Sequence, residues 1–176
     1  MTILTLDEAK QALNISSATY DAELQDYIDG ATQAVEFICG PSEPITVTET
    51  RPGYIEIALS RTPVISVTSV VGQAWGALTM SQLWVNNKAG VIRARSLAFP
   101  ILEDYYLVTY TAGYETVPPA MKQATKVILK HQWSTQRGPS SRPSSTDATF
   151  VPGLGYAIPN AALQMLTPLD QGPSVG

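Results

Sequence analysis

The chain of 176 residues carries one cysteine, one histidine and few charges. A single cysteine, Cys39, excludes an intramolecular disulfide and any zinc site built on several thiolates. A single histidine, His131, restricts metal and acid-base chemistry in the same way, because most zinc sites and catalytic triads combine histidine with further ligands or a nucleophile. Charged residues make up 15% of the chain, against roughly 25% in ordinary soluble domains, while 44% are hydrophobic. Such a chain builds a core and presents weakly charged surface of the kind that meets a partner. No apolar run approaches the ~20 residues that span a bilayer. The opening MTILTLDEAK has no basic segment followed by an apolar one. These features predict neither membrane insertion nor export by a signal peptide. Gly153, Leu154 and Gly155 have no preceding strand and no following Lys-Ser/Thr, so they do not make a phosphate loop. The expectation is a protein with no catalytic residues, no cofactor and no metal.

Charge is distributed unevenly. Residues 1–50 hold nine acids against the single base Lys10, whereas residues 117–176 hold five bases against two acids. Opposite potentials at two ends steer head-to-tail docking of identical subunits, and heterologous contacts of that kind close into rings. Two solvated helix faces with no assembly role account for the same charges equally well. A nucleic-acid-binding role is disfavoured, since the chain has no basic stripe and its net charge is −4.

The periodicities predict a mixed α+β chain. Thr5 followed by Glu8 is a capping box, and Leu6, Ala9 and Leu13 share a face, which predicts a helix over 6–13. Leu24, Ile28, Ala31, Val35 and Ile38 draw one apolar stripe over 20–39, ended by Gly40 and Pro41. Val117, Pro118 and Pro119 open a helix over 118–136, with Met121, Ala124 and Ile128 inward and Lys122, Lys126 and Lys130 forming a basic ridge. Between the helices, residues 45–113 are rich in β-branched and aromatic residues and turn signals. Strands are predicted at 45–50, 54–59, 64–71, 83–86, 91–95 and 105–111, with Ile55, Ile57 and Leu59 on one face and Asn86–Gly90 as a hairpin turn. The fold class expected is α+β: a helical core of two N-terminal helices and one long C-terminal helix, with an inserted antiparallel β subdomain and an extended C-terminal tail. The domain division is a core over 1–138, a Ser/Pro linker over 139–149 and an apolar tail over 150–176.

Most individual residues suit simpler roles than chemistry. His131 sits in a structural helix and reads as a surface or interface residue, and Cys39 reads as core filler. Asp26 and Asp29, at i and i+3, could hold a cation weakly, but a solvated acidic face suits them better. Trp75, Trp84 and Trp133 are either core or stacking platforms.

In order along the chain, several short patterns resemble the phage head-tail connector (adaptor) family that sits beneath the portal ring. Asp21, Leu24, Ile28, Ala31, Val35, Glu36 and Gly40 are similar to its D-x-x-L-x-x-x-I-x-x-A helix ending in E-x-x-x-G. Leu59, Arg61, Pro63, Val64, Ser66 and Val67 are similar to L-x-R-x-P-V-x-S-V, and Val108, Tyr110, Ala112, Gly113, Tyr114 and Pro118 to V-x-Y-x-A-G-Y-x-x-x-P. His131, Trp133, Gln136, Arg137 and Gly138 fit the end of its last core helix. The resemblance covers most of residues 4–138, and the β insertion is larger than in compact all-helical members. It implies a non-enzymatic virion protein at the head-tail interface, assembled in the host bacterial cytoplasm. It also implies a self-associated ring of the portal's twelvefold symmetry through which DNA passes without sequence-specific contacts, with the portal protein and a stopper or tail-completion protein as partners and no membrane. Taken with the residue patterns, it predicts a portal-docking tail of Phe150, Tyr156, Ile158, Pro159, Leu163 and Leu166. It further predicts a subunit interface of Lys122, Lys126 and Lys130 with Asp26 and Asp29, and channel-facing Asp21, Glu23 and Glu36. A stopper or tail-completion protein of the same neck, or a β-rich carbohydrate-binding module, is the alternative.

Overall fold

A computed structural model describes residues 2–74, 76–96, 101, 104–137, 158–167 and 169. The chain is α+β and divides into two compact units, residues 1–37 with 118–169 and residues 38–117 with 170–176.

The first unit is helical. Helix α1 (Leu6–Leu13) starts at the predicted capping box: the Glu8 amide donates to Thr5 Oγ1 at 3.2 Å, and the Thr5 amide donates to Glu8 Oε2 at 3.0 Å. Asn14 closes the helix in the left-handed region, at φ 55°. Helix α2 (Asp21–Cys39) buries Leu24, Ile28, Ala31 and Val35 completely, as the apolar stripe requires. Helix α3 (Pro119–Arg137) buries Met121, Ala124, Thr125, Ile128 and Leu129. Leu4, Ala9, Ile28 and Leu129 form one cluster, with Leu6, Leu13 and Tyr27 packed around it. A short helix α4 (Asn160–Leu166) lies in the apolar tail; it packs on α3 and buries Ala162 and Leu166. Glycine and proline breaks hide this helix in the sequence, since its roughly two turns leave too few positions for a period to register.

The second unit is made of antiparallel strands: β1 (Ile45–Pro52), β2 (Glu56–Ala58), β3 (Val64–Gly72), β4 (Gly76–Ala77), β5 (Leu83–Asn86), β6 (Val91–Ala94) and β7 (Tyr105–Ala112). One sheet has the order β1-β7-β3-β4 and the other β2-β6-β5. Strand β7 is central, pairing along its length with β1 (Ile45 opposite Ala112, Pro52 opposite Tyr105) and with β3. Its alternation holds, with Tyr106, Val108, Tyr110 and Ala112 buried. Together with Ile57, Leu59, Val64, Val70, Leu83, Ile92 and Ile101 they form the core of this unit. The β5–β6 hairpin turns through 87–90 as predicted, the Ala89 amide donating to Asn86 Oδ1 at 3.1 Å.

One strand starts later than its alternation suggests. Ile57 and Leu59 are buried, but Ile55 is 72% exposed, because pairing with β6 begins only at Glu56 and residues 54 and 55 form a bend after the Gly53–Ile57 bridge. Strand β4 has no signal in the sequence, since two residues carry no period.

Three of the four patterns that carry the family resemblance meet at the Thr62–Pro63 segment of this unit. Gly40 (φ +84°) follows α2 with so little room that a Cβ would stand 1.7 Å from the Thr62 carbonyl oxygen. Gly113 (φ +116°) donates its amide to the Pro63 carbonyl at 2.8 Å, and a Cβ there would meet the Glu43 carbonyl oxygen at 2.1 Å. The Tyr114 hydroxyl donates to the Cys39 carbonyl at 3.4 Å. Glycine at 40 and 113 is therefore a requirement of this joint, to which Pro63 lends its carbonyl and Tyr114 its hydroxyl.

Beside that joint lies a polar network. Glu49 Oε2 accepts from the Ser60 hydroxyl at 2.5 Å, and its Oε1 accepts from the Ser60 amide and the Tyr110 hydroxyl at 2.9 Å each. The Tyr110 oxygen in turn accepts from the Arg61 amide at 3.0 Å. Burial alone would raise the Glu49 pKa, but the Ser60 and Tyr110 donors outweigh it and hold the carboxyl below the usual range. Burial, with the Glu49 charge nearby, pushes Tyr110 up. A carboxylate with a depressed folded-state pKa contributes stability above its ordinary pKa, and that contribution fades as pH falls through the lowered value. Stability between roughly pH 6 and 3 should thus fall more steeply in the parent chain than in Glu49→Gln. Parallel acid limbs in denaturant titrations of the two proteins would show that Glu49 contributes no such linkage.

Candidate functional surfaces

No group of three or more His, Cys, Asp or Glu among the described residues is placed to hold a metal ion, and no helix among them is long and apolar enough to cross a membrane. Cys39 is buried. His131 is half-buried on α3, and its carbonyl accepts from the hydroxyls of Ser134 and Thr135 at 2.9 and 2.7 Å. Of the tryptophans, Trp133 meets Tyr20 and Tyr27 edge-on at centroid distances of 5.5 and 6.4 Å, an intramolecular packing role. Trp84 is partly exposed opposite Arg93, which also faces Glu56 across the three-stranded sheet. Trp75 lies outside the described residues.

The residues expected at a subunit interface separate into two groups. Lys122 Nζ lies 3.1 Å from Glu8 Oε1, so its charge is engaged inside its own unit. The Thr5 amide first, and Lys122 next, hold Glu8 below the usual carboxylate range. Lys126 is half-buried and its charge also helps lower Glu8, while Asp26, Asp29 and Lys130 are exposed, Asp29 Oδ1 accepting from Gln25 Nε2 at 2.9 Å. Among the channel-facing candidates, Asp21 pairs with Lys10 at 2.5 Å and Glu23 accepts the Tyr27 hydroxyl at 2.8 Å. Glu36 is half-buried.

The docking-tail residues are divided as well. Phe150 and Tyr156 fall outside the described residues. Leu166 is fully buried, so its side chain already has a place within the helical unit, whereas Leu163 (38%) and Met165 (39%) remain exposed on α4 and Ile158 and Pro159 are half-buried just before it.

Two exposed apolar features go beyond the residues that the sequence singles out. Phe37, near the end of α2, is 92% exposed. Its signal is readable, because it lies on the side of α2 opposite the Leu24-to-Val35 stripe, among Asp26, Asp29 and Gln33. At one end of the β unit, Pro52, Gly53, Tyr54, Glu56, Ala58, Asp104 and Tyr105 line an open groove of about 550 Å³, with Ile55 and Leu107 also exposed. That groove depends on the bend at 54 and 55, which alternation does not reveal.

Described helical surface thus carries an acidic face on α2, a basic one on α3 and exposed aliphatic groups on α4, an arrangement suited to protein contacts. The family model described as head completion protein matches residues 2–167. Comparison with curated proteins finds no significant match.

Proposed function

The chain belongs to the head completion protein family, and on that premise we propose that it is the adaptor of a phage neck, a ring seated on the portal through which DNA passes. Membership makes it a structural protein of the phage head, located in the virion, with the portal and other head or neck proteins as partners. The family match over residues 2–167 carries this reading, and the exposed charge of opposite sign on α2 and α3 supports it. In the ring, Asp26 and Asp29 of one copy face Lys126 and Lys130 of the next, and closure follows the portal's twelvefold symmetry. Lys122 contributes by holding α1 to α3 through Glu8. Glu23 and Glu36 border the channel, where negative charge keeps DNA phosphates from adhering, and Asp21 serves chiefly to tie α2 to Lys10.

The tail is the portal-docking element. Ile158, Pro159 and Leu163 supply apolar contact area together with Met165, while Leu166 anchors α4 to α3; Phe150 and Tyr156 extend the same apolar segment. Aliphatic and aromatic anchors carry most of the energy of such contacts. Leu163→Ser combined with Met165→Ser should weaken co-sedimentation with the portal ring of the same phage by about tenfold or more with little change in melting temperature. Undiminished co-sedimentation would show that the exposed face of α4 is not where the portal binds.

A further inference from the structure

Outward surfaces of α2 and α3 share a spacing. On α2, Asp26, Asp29, Gln33 and Phe37 are all exposed and lie half a turn from the fully buried Leu24, Ile28, Ala31 and Val35. On α3, exposed Pro119, Gln123 and Lys130, with half-buried Lys126 between them, lie opposite Met121, Ala124, Thr125, Ile128 and Leu129. The separation from Asp26 to Phe37 equals that from Lys130 to Pro119, a rise of roughly 16 Å in either helix.

We infer that these stripes are the two halves of one contact between copies of the chain, in which α2 of one copy lies antiparallel to α3 of the next. Asp26 then meets Lys130, Asp29 meets Lys126, Gln33 meets Gln123, and Phe37 lies on the ring of Pro119 and the stem of Gln123. A parallel arrangement that keeps Asp29 beside Lys126 places Phe37 against Ser134, where its apolar area gains little. The acidic stripe fits a basic partner, and the basic stripe with the complementary spacing is on the same chain. Each boundary uses α2 of one copy and α3 of the next, so a copy within a ring has its other half open to a further neighbour. Phe37 is the apolar anchor at one end and the charges fix the direction and register at the other. This inference rests on the ring reading above and adds its register.

Charge exchange tests it. Asp26→Lys and Lys130→Glu are exposed substitutions that should leave the melting temperature nearly unchanged, and ring assembly on the portal is followed by native mass and negative-stain images. Each variant alone should assemble at least about tenfold more weakly than the parent chain, because position 26 of one copy then meets a like charge at position 130 of the next. An equal mixture of the two should recover assembly, since every boundary in an alternating ring again joins opposite charges at those two positions. Phe37→Ser should weaken assembly in both the parent chain and the mixture. Parent-like assembly by either charge variant alone overturns the inference, as does a mixture that fails to recover, and both results leave the ring itself standing. A parent chain that forms no ring on the portal overturns the ring reading and this register with it.

Discussion

Gly113→Ala is expected to destabilise the β unit by roughly 2–4 kcal/mol. Two effects add. A side chain at φ +116° occupies a region that L-residues avoid, and its Cβ would sit 2.1 Å from the Glu43 carbonyl oxygen and 3.0 Å from that of Pro41. Neither obstacle is the tip of a flexible side chain, so relief requires moving backbone that also holds the Pro63 carbonyl to the Gly113 amide. Gly76→Ala is the matching control. Gly76 also has positive φ, at +72°, but among the described residues beyond its chain neighbours nothing lies within 4 Å of the added Cβ. It should cost only about 1–2 kcal/mol. Thermal unfolding of the three proteins separates the two contributions: a substantially larger loss at 113 than at 76 supports the crowded joint, and equal losses would reduce the effect to backbone conformation alone.

Leu166→Ala should cost about 2–5 kcal/mol, the range for truncating a fully buried leucine. Leu163→Ala, one turn earlier and 38% exposed, should change stability by less than about 1 kcal/mol. The comparison matters for the tail, because it distinguishes packing within the helical unit from contact with a partner. If both substitutions leave the melting temperature unchanged, α4 does not contribute to the stability of that unit. If only Leu166→Ala destabilises, loss of portal binding on deleting residues 139–176 cannot by itself be assigned to docking, and the exposed-face variants become the proper test.

Much of the architecture is legible in local patterns. Each long helix carries an apolar stripe over several turns, and the Thr5–Glu8 capping box and the Gly40–Pro41 stop mark ends that backbone geometry enforces. Strand β7 is readable because one of its faces is fully buried, so its alternation is strict. Where pairing rather than composition decides, the sequence is less informative. Ile55 has the same residue type and spacing as Ile57, but only Ile57 lies beyond the point where β2 meets β6. Strand β4 is too short to show a pattern at all.

The family-like letters are visible as letters, but their cause is tertiary. Gly40, Pro63 and Gly113 are far apart in sequence and become intelligible only when the Thr62–Pro63 segment is seen between them. The surfaces divide in the same way. The charges of α2 and α3 are plain, whereas the engagement of Lys122 by Glu8, the burial of Leu166 and the exposure of Phe37 depend on which neighbours each helix acquires. Sequence patterns therefore locate the interacting elements, and packing selects which of their residues remain available.

The most direct test of the adaptor role is co-sedimentation of the purified chain with the portal ring of the same phage, read by native mass and negative-stain images. An adaptor adds a second ring layer with one copy per portal subunit. A chain that leaves the portal bare and binds instead to a later neck or tail component would contradict that role.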